Sequence, residues 1–113
     1  MTMQPQLLKG ILKTIVLKTV GDGDRMYGYD IIRTVKDQTF SRVRITEGAL
    51  YPVLHALHAD GLLHAEMAYN GRRMRKYYII SETGKLLLTD KLNEMRTFVA
   101  ILHILFPDDL MNN

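Results

Sequence analysis

Four of the five residues that follow Asn70-Gly71 are cationic: Arg72, Arg73, Arg75 and Lys76, interrupted only by Met74. An arginine fork meets a phosphate with two parallel N–H donors, so a cluster of this kind on a turn is suited to a polyanion. Arg42 and Arg44 stand before residues 46–61, so six of the fifteen Lys and Arg flank one short stretch. A charge run is ordinarily a solvated face. Here it protrudes on a turn and brackets a single segment, and charge, pattern and position agree on nucleic acid.

The bracketed segment, Thr46 to Gly61, reads TEGALYPVLHALHADG. Leu50, Val53, Leu54 and Leu57 fall at i, i+3, i+4 and i+7, one apolar stripe of a helix. Thr46 is a good N-cap, Glu47 sits at the positive end of the helix dipole, and Gly61 is a natural stop. The other side carries Gly48, Tyr51, Pro52 and His55. Gly48 and Pro52 are poor helix formers, and Pro52 lacks the N–H that would bond to the carbonyl of Gly48. Two readings stay open: a core helix with an irregular first turn, or a surface that lets a polymer approach its backbone. On the second reading the first turns enter a major groove. Gly48 then permits close approach, and Tyr51 donates to a phosphate or packs on a thymine methyl. Glu47 suits a cytosine amino group and equally suits the dipole of its own helix. Arg72, Arg73, Arg75 and Lys76 hold phosphates or enter the minor groove, giving affinity with little sequence information.

Other chemistries are poorly supplied. The 113 residues include no cysteine, which excludes a disulfide scaffold and a thiolate metal site. His55 and His58 are three apart, His64 and His103 stand elsewhere, and no HExxH pattern exists. No metal site and no cofactor are expected. Ser41 and Ser81 are the only serines, and both fit turns or caps; Asp22/Asp24 and Asp108/Asp109 are acid pairs of loop composition. An enzyme is not expected. The apolar N-terminus is broken by Lys9, Lys13 and Lys18, unlike a signal peptide, and no apolar run approaches the ~18 residues of a membrane span. The expectation is a cytoplasmic protein without membrane association.

Positioning this segment requires a small scaffold. Gln4 to Val20 reads as a first helix, broken by GDGD at 21–24. A second helix runs from Gly28 to Phe40, with Tyr29 and its N-terminus available to a DNA backbone. Arg42-Val43-Arg44-Ile45 alternates and predicts a short extended piece. Leu63 to Tyr69 and Arg75 to Ile80 read as strands joined by an Asn70-Gly71 hairpin turn. Ser81 caps a last helix from Glu82 to Phe106, and Pro107 ends it. The fold class is mainly α with a β-hairpin: a winged helix-turn-helix over 1–81, followed by a C-terminal dimerisation helix and tail over 82–113.

The dimer is expected from spacing. Leu88, Leu92, Met95, Val99, Leu102 and Phe106 are separated by 4, 3, 4, 3 and 4 residues, a heptad-like seam. With Phe98, Ile101, Ile104 and Leu105 the last turns are apolar nearly all round. The simplest cover is the same helix of a second chain together with helix one, through residues such as Leu8 and Leu12.

The stretches LKGILKTIVL, MYGYDII, ITEGALYPVLHALHADGLL and GRRMRKYYIISETG, with the closing helix, make the chain resemble the PadR family of bacterial transcriptional regulators, in its small subfamily with one C-terminal helix. The resemblance spans nearly the whole chain. It implies a dimeric winged-helix repressor on a palindromic operator of double-stranded DNA. Family contacts of the third helix fall on Thr46, Glu47, Gly48, Tyr51 and Pro52, and those of the wing on Gly71, Arg72, Arg73 and Lys76. Members often sense phenolic or other small hydrophobic effectors. Drug-sensing members stack flat ligands on a tryptophan of the closing helix; the matching position here is Met95, and the chain has no tryptophan. The expected effector pocket is therefore the adaptable apolar one of Met95, Phe98 and Val99. Two rivals keep the fold and change the role: a metal-responsive regulator using the histidines, and a protein-interaction module without specific DNA binding.

Overall fold

Apolar residues at the helical period, then two runs at period two, dictate the order of elements. The computed structural model describes residues 2–107. It contains α1 (Pro5–Asp22), α2 (Gly28–Gln38), α3 (Glu47–Ala59), β1 (Leu63–Asn70), β2 (Arg73–Ile80) and α4 (Glu82–Leu105). The architecture is mainly helical, with one antiparallel hairpin and a closing helix. Asp108 and Asp109, with the rest of the expected tail, lie outside the described residues.

The core is built where the stripes meet. Val16, Leu17 and Val20 of α1, Ile31 of α2, and Leu50, Leu54 and Leu57 of α3 are all fully buried. Each such side chain contributes about 1.5–3 kcal/mol on leaving water. The base of the hairpin closes the core with Leu63, Tyr78 and Ile80. Burial pushes the Tyr78 phenol up from its ordinary range. Met26, in the loop between α1 and α2, exchanges two backbone hydrogen bonds with Tyr78, at 3.1 and 2.8 Å. It thereby covers the outer edge of β2 as a one-residue third strand.

Ser81 joins the hairpin to α4. Its hydroxyl accepts from the Gly84 N–H at 2.9 Å and donates to the Gly61 carbonyl at 2.7 Å. The Ser81 N–H donates to the Leu62 carbonyl at 3.0 Å. Gly84 then packs directly on the corner between α3 and β1: a Cβ there would lie 2.1 Å from the Leu62 carbonyl oxygen. The first turn of α4 is thus anchored to the winged domain across the expected boundary at residue 81.

Four local features differ from the sequence pattern. The first helix does not stop at Gly21 but runs through Asp22, which pairs with Lys18 one turn back. The added turn sits against the hairpin and α4, where a Cβ on Gly21 would make ordinary van der Waals contact with Ile80 and Leu88 at 3.4 Å. The second helix stops at Gln38, two residues before Phe40. Its end is a Schellman motif, with Ser41 N–H donating to the Lys36 carbonyl at 2.8 Å and Phe40 N–H to the Asp37 carbonyl at 3.3 Å. Phe40 holds the left-handed position, φ +53°, where glycine is usual. The hairpin turn is shifted by one residue. Asn70 pairs with Arg73, leaving Gly71 and Arg72 as the two turn residues. Gly71 has φ +65° and Arg72 does not share the positive φ, the pattern of a type II′ turn rather than the Asn-Gly type I′. Residues 42–45 form no ladder, although Val43 and Ile45 point in and Arg42 and Arg44 point out.

Candidate nucleic-acid interface

The outward face of α3 is set by its cap. Thr46 accepts from the Ala49 N–H at 3.2 Å and starts the helix. Leu50, Leu54 and Leu57 turn inward, which leaves Thr46, Glu47, Gly48, Tyr51, Pro52 and His55 exposed along one side. Nothing in the chain lies within 4 Å of a Cβ placed on Gly48. Its small size therefore has no internal packing reason. The Gly48 carbonyl has no i+4 N–H donor, because Pro52 stands at that position.

Tyr51 is held rather than free. A Cβ on Gly28 would be 2.6 Å from the Tyr51 hydroxyl oxygen and 3.0 Å from its Cζ. The phenol thus lies over the first residue of α2, beside the open N–H groups of that helix. Tyr29, exposed next to it, stacks on Tyr27 at 6.4 Å and 24°. The guanidinium of Arg33 lies 5.5 Å from the centroid of Tyr29 and pairs with Asp30 at 3.1 Å. Tyr51 thereby ties the second turn of α3 to the N-terminus of α2.

The wing cations divide into two groups. Arg72, Arg73 and Lys76 are exposed. Arg75 is half-buried, with its guanidinium 5.0 Å from the centroid of Tyr27 and its Nε buried without a hydrogen-bond partner. Tyr27 meets Tyr77 edge-on at 5.5 Å, and Arg25 lies 4.4 Å from the centroid of Tyr77 while pairing with Glu66 at 2.9 Å. Arg75 thus belongs to a cation–aromatic stack that braces the hairpin against the start of α2. Pattern alone groups it with Arg72, Arg73 and Lys76 because the four stand together in sequence. Arg25 and Arg33 carry no such signal: each stands alone in sequence and acquires its aromatic partner only in the fold. On the approach to α3, Arg42 is exposed, and Arg44 is exposed but donates from Nε to the Ser41 carbonyl at 3.3 Å.

The expected dimer residues separate as well. Leu8 and Leu12 are buried in the protomer's own core, because α1 closes that core with the same face. What α1 leaves outward is Leu7. On α4, Leu88, Leu92, Met95 and Leu102 are half-buried, while Val99 and Phe106 are exposed together with Phe98, Ile101, Ile104 and Leu105. Met95 lines a cleft of about 300 Å³ with Leu92 of α4 and Ile11, Thr14, Ile15 and Lys18 of α1. Phe98 instead lines a groove on α4 itself, beside Asp90, Glu94 and Ile101. Within one protomer the expected effector residues do not share a pocket. His55, His58, His64 and His103 are dispersed over α3, β1 and α4, and among the described residues no three His, Asp or Glu side chains converge as metal ligands. Among the described residues no helix is long and apolar enough to cross a membrane.

Comparison with known proteins locates this arrangement. Residues 16–90 match the model of the transcriptional regulator PadR-like family. The matched span holds α2, α3, both strands and the start of α4. Transcriptional regulator Rv3488 of Mycobacterium tuberculosis is 43% identical over 47 residues, which are 42% of this chain and 44% of that protein. The match therefore spans less than half of that relative's length. A transcriptional regulator from Clostridium thermocellum has the same fold at a TM-score of 0.81 and 23% identity, over 89% of this chain and 98% of the other. Bacillus subtilis PadR, solved in complex with operator DNA, is similar at a TM-score of 0.65 and 26% identity, over 73% of this chain and 46% of that one.

Proposed function

The chain belongs to the PadR-like family of transcriptional regulators, and from that premise we propose that it binds an operator in double-stranded DNA as a two-fold dimer and represses transcription there. Members of this family are regulators and not enzymes. The observation that carries the reading is Gly48: an exposed glycine inside a helix, with open space around it and a carbonyl whose i+4 donor is replaced by Pro52. The first turns of α3 enter the major groove, with Thr46, Glu47, Gly48, Tyr51 and Pro52 nearest the base edges and His55 behind them. Tyr29 and the N-terminus of α2 meet the backbone. Arg72, Arg73 and Lys76, with Arg42 and Arg44, neutralise phosphates, while Gly71 lets the wing tip turn. The complex of the Bacillus subtilis relative with operator DNA supports this reading.

The exposed apolar half of α4 supports a partner helix from a second copy. In such a dimer two α3 helices must stand about 34 Å apart to enter successive major grooves, so a palindromic site follows. A small hydrophobic or phenolic effector lodged by Met95, Phe98 and Val99 of the paired helices retunes that spacing. It does so only to the extent that it binds one spacing more tightly than another.

The test is titration of the purified protein with a duplex from its own upstream intergenic region, against a scrambled duplex of equal length, across a salt series. A preference of at least about 10³ for the first duplex, with affinity falling steeply as salt rises, is the expected result. Equal and weak binding to both duplexes would falsify specific operator recognition in that region.

A further inference from the structure

The hairpin has two chemically different faces at its tip. Residues paired across a ladder share a face. Leu63 with Ile80 and Ala65 with Tyr78 form the face that seals the core. Beyond the core the same face continues as Met67 with Lys76 and Tyr69 with Met74. There nothing covers it: Tyr69 is 68% exposed, Met67 60% and Met74 48%. The opposite face at this height carries Asn70 with Arg73 and Ala68 with Arg75, and Arg75 is withdrawn onto Tyr27.

We propose that this Tyr69–Met74–Met67 face is a DNA-sugar contact: it packs on deoxyriboses flanking the recognition-helix site while Arg72, Arg73 and Lys76 hold the neighbouring phosphates. The inference rests on the DNA reading above. Single exposed apolar residues need no explanation, but three contiguous ones on a rigid ribbon do. The occupant is chosen by what surrounds them. Two exposed cations border the patch: Lys76 on its own face, with its ammonium 5.7 Å from the Tyr78 ring, and Arg72 at the turn, while the exposed Arg73 stands on the opposite face of the same tip. The only acid of the hairpin, Glu66, is already paired with Arg25 on the opposite face. A partner for this surface must therefore be apolar at its centre and anionic at its edges. The edge of a DNA strand alternates in that way, since each sugar presents C–H groups between two phosphates. Tyrosine and methionine suit the role: one supplies a rigid face, the other a side chain that conforms to it.

Hydroxyl-radical cleavage of bound DNA reads this contact directly, because the radical attacks sugar hydrogens. With the upstream duplex, wild-type protein should protect a few sugars beside the α3 footprint, and Tyr69→Ala with Met74→Ala should expose those sugars alone. Each substitution should also weaken binding about ten-fold at every salt concentration without changing the salt slope, because no charge is removed. Arg72→Ala should do the reverse and flatten the slope by about one unit. Thermal melts of the free variants should match wild type, since these side chains touch no core. Unchanged sugar protection, or a salt slope altered by Tyr69→Ala, overturns the contact. So does loss of binding to phosphatidylglycerol vesicles with DNA binding intact, which would assign the face to a lipid surface. Wild-type protein that binds neither duplex retires the DNA reading itself, and this inference with it.

Discussion

Tyr51 of α3 lies on Gly28, the first residue of α2, so closely that a Cβ on Gly28 would sit 2.6 Å from the phenol oxygen. The clash falls on the far end of a side chain, so Gly28→Ala is relieved by swinging the ring away rather than by unfolding. The variant should melt near wild type and lose DNA affinity to the level of Tyr51→Ala. The double variant should bind no worse than Tyr51→Ala alone, the signature of two residues acting through one contact. Additive losses in that cycle would mean that Gly28 meets DNA independently.

Gly48→Ala separates folding from binding. The added methyl enters open space, and alanine is the better helix former, so the free protein should gain roughly 0.5–1 kcal/mol and melt higher. Operator affinity should nevertheless fall by an order of magnitude or more, because the methyl occupies the line of approach. Unaltered affinity would remove Gly48 from the interface.

Arg73→Ala and Arg75→Ala should differ although both remove one cation from the wing. The exposed Arg73 should flatten the salt dependence of binding by about one unit and leave the melting temperature alone. Loss of Arg75 should leave the slope nearly unchanged and lower stability, since its guanidinium braces Tyr27 and an isolated cation–π contact contributes about 0.5–1 kcal/mol.

Phe40→Gly should stabilise the monomeric fold. Phe40 carries a left-handed backbone at the end of α2 and is 81% exposed, so it has little burial to lose. Removing the side chain relieves about 1–2 kcal/mol of backbone cost, partly offset by the greater freedom of glycine in the unfolded chain. Urea denaturation measures the difference.

Gly84→Ala should do the opposite of Gly48→Ala. Its methyl would meet a backbone carbonyl at 2.1 Å, which no side-chain rotation can clear. A loss of about 1–3 kcal/mol is expected, with α4 displaced at its root. Ser81→Ala should cost about 1 kcal/mol through the lost cap and the Gly61 carbonyl left without its hydroxyl donor.

The elements were legible wherever one period ran unbroken. The stripe of Leu50, Leu54 and Leu57 and the strands on either side of Gly71 follow directly from side-chain pattern. Limits set by backbone geometry were less legible. Gly21 lies within α1 although it resembles a breaker, Phe40 occupies a position that sequence rules reserve for glycine, and the turn takes Gly71-Arg72 because one ladder pair extends to Asn70 and Arg73. On the site, exposure of the α3 face followed from periodicity. The withdrawal of Arg75 and the posture of Tyr51 did not, because both depend on aromatic residues or glycines near the start of α2, far away in sequence. Leu8 and Leu12 could not be apportioned between core and partner by any local pattern, since both destinations demand the same residue type.

The seating of Gly84 against Leu62 makes α4 a stiff arm hinged at the root of the wing. The arm is 24 residues long, about 36 Å. With so little slack at the hinge, a tilt of about 5° there carries the far end near Phe106 through about 3 Å. Read in the opposite direction, a push of a few ångströms at the exposed end arrives at the α3–β1 corner as a small rotation with a large mechanical advantage. The same tilt slides Leu88, Leu92 and Met95 across α1, so the arm moves only as far as that packing yields.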